Sequence, residues 1–123
     1  MTDHELDSFE YAEQTQRLFQ DFEQLIAAFN KANISLATGG VSVRQFLEVA
    51  RVVSLLRAQY LKHVLELSRI DRLNDLDRQV LREMREYREA YEEALEGFGA
   101  LRHALMREYV SLTEDGEDIN LAS

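Results

Sequence analysis

"ATGGVSVRQF", residues 37–46, contains the only adjacent glycines of the chain, with a Ser and an Arg following where a helix would begin. Read as a phosphate-cradling loop, it would require a strand before it and an α/β fold. A loop of the Walker type also ends in Gly-Lys-Ser/Thr, whereas Val41 follows Gly40 here and no strand pattern precedes Ala37. The stretch therefore reads as a connector between helices. Gly39 and Gly40 supply the positive φ that reverses a chain. Ser42 is placed to cap the next helix, and Gln45, three residues on, has the spacing to reach back to the cap N–H.

Working upstream at 100° per residue, Tyr11, Leu18, Phe19, Phe22, Leu25, Ile26 and Phe29 fall within about 60° of Phe22, which defines one helical face. A first helix is expected over about 8–32. Two capping boxes compete for its start, Thr2 with Glu5 and Asp7 with Glu10. Leu6 and Phe9 lie off the main face, so they either staple the helix end or meet a partner.

Downstream, the second helix is expected over about 42–70. Val49, Val52, Val53, Leu56, Tyr60, Val64 and Leu67 form the centre of its apolar arc, flanked by Phe46, Leu47, Leu61 and Leu65. That arc covers roughly 220° and calls for burial on more than one side. The phase breaks around "DRLND", where Asn74 or Asp75 is the expected N-cap of a third helix over about 75–112. Its narrow seam runs from Leu76 through Tyr87, Tyr91 and Phe98 to Tyr109 and Leu112. The seam crosses Gly97 and Gly99 without a slip, so one continuous helix is expected, with a break into a fourth as the alternative.

The expected fold is all-α: an elongated antiparallel bundle of three long helices forming one domain over 1–112, with an acidic, disordered tail over 113–123. Composition agrees. The 123 residues include no Pro, no Cys and only 5 Gly, which favours helix and excludes disulfides and thiolate metal sites. No stretch reaches the roughly 18 apolar residues of a membrane span, and the first residues are acidic where a signal peptide would be basic. A cytoplasmic location is expected.

The net charge of −9 opposes general nucleic-acid binding, but it is unevenly spread. Residues 1–33 carry 7 acids and 2 bases, while 34–70 carry 2 acids and 5 bases. Arg44, Arg51, Lys62 and Arg69 fall within about 20° of one another on the second helix. They form either a nucleic-acid surface or, with Glu48 and Glu66 between them, a self-neutralised face. The acidic remainder leaves DNA mimicry as a further option. Leu55 interrupts the basic stripe and Arg57 interrupts the apolar arc, where a carboxylate of another helix is its expected partner.

Arg57 also opens "RAQYLKH", an Arg-x5-His spacing that resembles the motif of HEPN-fold ribonucleases, which are small, helical and often dimeric. The resemblance covers seven residues, and Ala58 stands where that family usually has a polar residue. It would imply an RNA-cleaving site using Arg57 and His63. No metal or cofactor is expected, since the three histidines lack His-x3-His or Glu-x-x-His spacing.

The leading expectation is a non-enzymatic interaction protein of adaptor, chaperone or inhibitor type, acting as a homodimer or with a helical partner. Its candidate contact residues are Leu6, Phe9, Ile34, Leu36, Val41, Leu55, Tyr87, Tyr91 and Tyr109. Arg44, Arg51, Arg57, Lys62 and Arg69 are the candidate electrostatic contacts.

Overall fold

The computed structural model describes residues 2–73 and 76–114. The chain is all-α, with three long helices packing against each other. Helix α1 spans Asp3–Thr38, α2 spans Val43–Glu66 and α3 spans Arg78–Met106. Two short strands, β1 (Val41–Ser42) and β2 (Leu112–Thr113), complete the order α1-β1-α2-α3-β2.

The earlier of the two capping boxes starts α1. Thr2 Oγ1 accepts from the Glu5 N–H at 3.3 Å and Glu5 Oε2 from the Thr2 N–H at 3.2 Å. The helix is longer at both ends than 8–32 and takes in Leu6 at its start and Ile34 and Leu36 at its end. Gly39 ends it in the left-handed region at φ 70°, its N–H donating to the Ser35 carbonyl, and Gly40 follows at φ 95°. The capping box of α2 forms as its spacing implies, with Gln45 N donating to Ser42 Oγ at 3.0 Å and Ser42 N to Gln45 Oε1 at 2.8 Å.

A single 3-10 turn, Leu67–Arg69, closes α2. The cap of α3 is Asp77, whose Oδ1 accepts from the Val80 N–H at 2.8 Å; Asn74 and Asp75, the expected caps, lie outside the described residues. Helix α3 passes through Gly97 and Gly99 unbroken. Antiparallel packing of α2 and α3 follows from the reversed order of their ring pairs. Phe46 meets Phe98 at 5.0 Å, Tyr60 meets Tyr91 at 6.4 Å and His63 stacks on Tyr87 at 4.1 Å between centroids.

Helix α3 stops at Met106, six residues short of the expected 112, because Glu108 enters the left-handed region at φ 59°. Glu108 N then donates to the Leu105 carbonyl at 3.1 Å and Tyr109 N to the Ala104 carbonyl at 2.9 Å, the paired bonds of a Schellman stop. A non-glycine residue in that conformation costs on the order of 1 kcal/mol. Glu108→Gly is accordingly expected to raise stability by about 0.5–1 kcal/mol in urea unfolding. No gain would mean that the stop is held by something other than this turn.

Beyond the stop the chain folds back, and β2 pairs in parallel with β1, Val41 opposite Leu112 and Ser42 opposite Thr113. The turn buries Val110 (3% exposed) against Val41 and Ala104, with Ile34, Phe46, Leu101, Leu105 and Tyr109 packed around them. All three helices meet at this junction. Of the expected tail, Thr113 pairs in β2 and Glu114 follows it; the remainder, 115–123, lies outside the described residues.

Candidate interaction surface

Away from the junction, α1 has no buried residue. Every large apolar side chain from Leu6 to Phe29 is at least 42% exposed. The stripe has heptad form, with Thr15, Phe22, Phe29 and Leu36 at one core position and Tyr11, Leu18 and Leu25 at the other. Phe19 and Ile26 widen it to three positions in seven, the width of a bundle helix that needs two neighbours and more than a two-stranded seam offers. Phe19 and Phe22 meet edge to face at 5.9 Å, which orders this surface locally but does not cover it.

The outer face of the α2–α3 hairpin carries a second set of exposed apolar residues: Leu47, Leu61 and Leu65 from α2, Leu81 and Leu95 from α3. At the end of the hairpin remote from the junction, Tyr60, Leu81, Met84, Arg85 and Arg88 line a shallow depression that continues past Arg78 and Arg82. Residues 78–88 hold four arginines and two glutamates. This end is apolar with a basic rim.

The basic stripe of α2 is largely internally paired, as the intervening glutamates imply. Glu48 accepts from Arg51 Nε at 2.8 Å and also from its Nη2, and Glu66 accepts from Arg69 Nη1 at 3.2 Å. Lys62 has no partner among the described residues, and Leu55 is exposed beside it. The hydrogen bond to Arg51 holds the Glu48 carboxyl below the ordinary glutamate range, and Glu48 in turn raises Arg51. A carboxyl lowered in the folded state favours folding above its unfolded pKa and loses that contribution as pH falls through the folded value. The pair is fully exposed, so its effect on stability is small. An NMR titration is expected to place the Glu48 midpoint below the ordinary glutamate value, and Arg51→Gln to return it; an ordinary midpoint in the unaltered chain would show that the pair does not persist in solution.

Arg57 takes a partner other than the expected carboxylate. Its Nε and Nη2 donate to the Tyr91 hydroxyl at 2.8 and 2.6 Å, and its guanidinium carbon lies 5.2 Å from the Tyr91 ring centroid. The hydroxyl can accept without the burial penalty of a charge, so Arg57 keeps its stem on the hairpin and its head in water. His63 turns to a different neighbour, with Nδ1 2.9 Å from the Gln59 carbonyl and its ring on Tyr87. A carbonyl only accepts, which places the proton on Nδ1. Arg57 and His63 thus engage separate tyrosines of α3.

Of the remaining candidate contacts, Val41 is 6% exposed and belongs to the chain's own core, because β2 and Val110 fold over it. Ile34 and Tyr109 pack against the same core, and Ser35 Oγ donates to the Tyr109 carbonyl at 3.0 Å. Tyr87 and Tyr91 are half-buried between α2 and α3. Leu6, Phe9, Leu36 and Leu55 remain exposed. The exposed stripe of α1 is the largest departure from a packed three-helix bundle, since periodicity shows that a face is apolar but not what covers it.

Among the described residues, no group of three or more His, Cys, Asp or Glu could hold a metal ion, and no helix is long and apolar enough to cross a membrane. Comparison with protein-family models, with curated proteins and with solved structures finds no match.

Proposed function

We propose that this chain is a non-enzymatic protein-interaction module whose working surface is the apolar stripe of α1, seated on a helical protein surface. The exposure of that stripe from Tyr11 to Phe29 supports the reading. Large contiguous apolar patches of this kind on soluble chains mark interaction sites. A three-in-seven stripe fits the groove between two helices and argues against a flat partner. A cytoplasmic location belongs to the same proposal and rests on the acidic, cysteine-free composition.

The test is a photo-reactive amino acid placed at Phe19, on the stripe, or at Glu13, on the opposite face, in the full chain expressed in cells. Discrete protein adducts are expected from position 19 and not from position 13. Adducts with this chain and with other proteins count alike here, because either puts a protein on the stripe. Equal labelling from both positions, or none from Phe19, would overturn the proposal.

A further inference from the structure

This inference rests on the reading of α1 as the docking element and names what it docks on. The chain's accessible surface is 10381 Å². A compact protein of its mass exposes about 6,800 Å². Allowing the twelve residues outside the described set the most an extended segment could carry, about 2,000 Å², the rest still exposes about 2,000 Å² more than a compact chain of its size. That surplus per chain matches the interface of an obligate dimer.

The geometry of α1 directs it away from its own hairpin. Ile34 lies in the junction core and Ser35 is bonded to Tyr109, so swinging α1 back at the two glycines would break these contacts. A second copy can cover the stripe without breaking them. Charge selects the seat. Residues 3–13 of α1 carry five acids and no Lys or Arg, and the far end of the hairpin offers Arg78, Arg82, Arg85 and Lys62 beside Leu65 and Leu81. Two α1 helices paired antiparallel with each other would instead set those acids against residues 27–37, where Lys31 is the only charge.

We infer that the chain forms a reciprocal homodimer in which the α1 stripe of each copy lies on the outer face of the α2–α3 hairpin of the other. Helix α1 runs antiparallel to the partner's α2, which brings its acidic first turns to the arginines of the partner's α3 and its Phe29 end toward the junction. Each interface is made of one stripe and one hairpin, and the two interfaces are equivalent.

That reciprocity gives a decisive test. One variant carries Phe22→Glu with Leu25→Glu on the stripe; the other carries Leu61→Glu with Leu65→Glu on the hairpin. All four positions are exposed within the chain, so circular dichroism should show helix content unchanged. Sedimentation equilibrium of the unaltered chain is expected to give twice 14.3 kDa, and each variant alone to associate roughly a hundredfold or more weakly. Mixed in equal amounts, the two variants retain one intact stripe and one intact hairpin that face each other. Their mixture should recover association that neither shows alone.

Should the hairpin leucine variant lose helix content, Arg82→Glu with Arg85→Glu addresses the same seat from exposed positions and should behave alike. An unaltered chain that remains monomeric at every concentration overturns the inference, and adducts from Phe19 to other proteins would then show the docking role of α1 standing without it. A dimer lost in the stripe variant but kept in the hairpin variant overturns it in favour of stripe-on-stripe pairing, and a dimer lost in both but not recovered on mixing overturns it as well. A dimer indifferent to the stripe substitutions overturns this inference, and the docking role of α1 falls with it only where Phe19 also gives no protein adducts.

Discussion

Val110→Asp is expected to cost more than about 4 kcal/mol and to unfold the junction. Val110 is the most buried apolar residue described, at 3% exposure, and it seals Val41 and Ala104 from solvent. Removing its side chain from the core forfeits about 1.5–3 kcal/mol of apolar burial. The carboxylate that replaces it would have no cation among the core residues, and burying it unpaired adds several kcal/mol. Domains of this size have only about 5–15 kcal/mol in total, and a chain with so few buried side chains belongs near the lower end.

The readout is urea unfolding followed by circular dichroism, with Leu73→Asp as the control. Leu73 is 86% exposed, and its substitution should stay within about 0.5 kcal/mol. Equal effects at the two positions would contradict the placement of the core. Loss of the junction should also free α1, since Ile34 and Ser35 are anchored there through Val110 and Tyr109.

The unfolding midpoint of the full chain is expected to rise with protein concentration, and Phe22→Glu with Phe29→Glu to remove that dependence while lowering the midpoint. The two phenylalanines are seven residues apart and share one heptad position along the mid-line of the stripe. If a second copy covers them, burial of each contributes about 1.5–3 kcal/mol to the associated state. Association stabilises by mass action, worth about 1.4 kcal/mol for each tenfold rise in free partner above the dissociation constant. Within the single chain both rings are exposed, so a monomer would lose little by their replacement. Differential scanning across a dilution series distinguishes the cases: a midpoint that ignores concentration, or a variant as stable as the parent, would leave the stripe without an energetic role.

Much of the local structure is legible in the sequence because it depends on near neighbours. Ser42 and Gln45 meet as their spacing implies, Thr2 and Glu5 do the same, and the two glycines end α1 with positive φ. Glu48 and Glu66 neutralise Arg51 and Arg69 within one turn. The stop of α3 is not legible, since Glu108 carries no signature of the left-handed conformation and Leu112 lies in phase with a seam that has already ended. Ala104, on the polar side of that seam, is buried only because α1 and the returning chain reach it. The partner of Arg57 is hidden for a related reason: a tyrosine hydroxyl on another helix satisfies a guanidinium as readily as the carboxylate that charge pairing suggests.

The sequence by itself determined the helices, their caps and which faces are apolar, because backbone hydrogen bonding, capping and periodicity act over a few residues. Only the tertiary structure decided which of those faces the chain covers. The parallel pairing of Val41 with Leu112 joins residues far apart in the chain, and it is this pairing that turns Val41 and Ile34 inward while α1 is held outward with its stripe open. An apolar face lowers its free energy equally against its own chain or another, so periodicity cannot choose between them; the closure of the junction can.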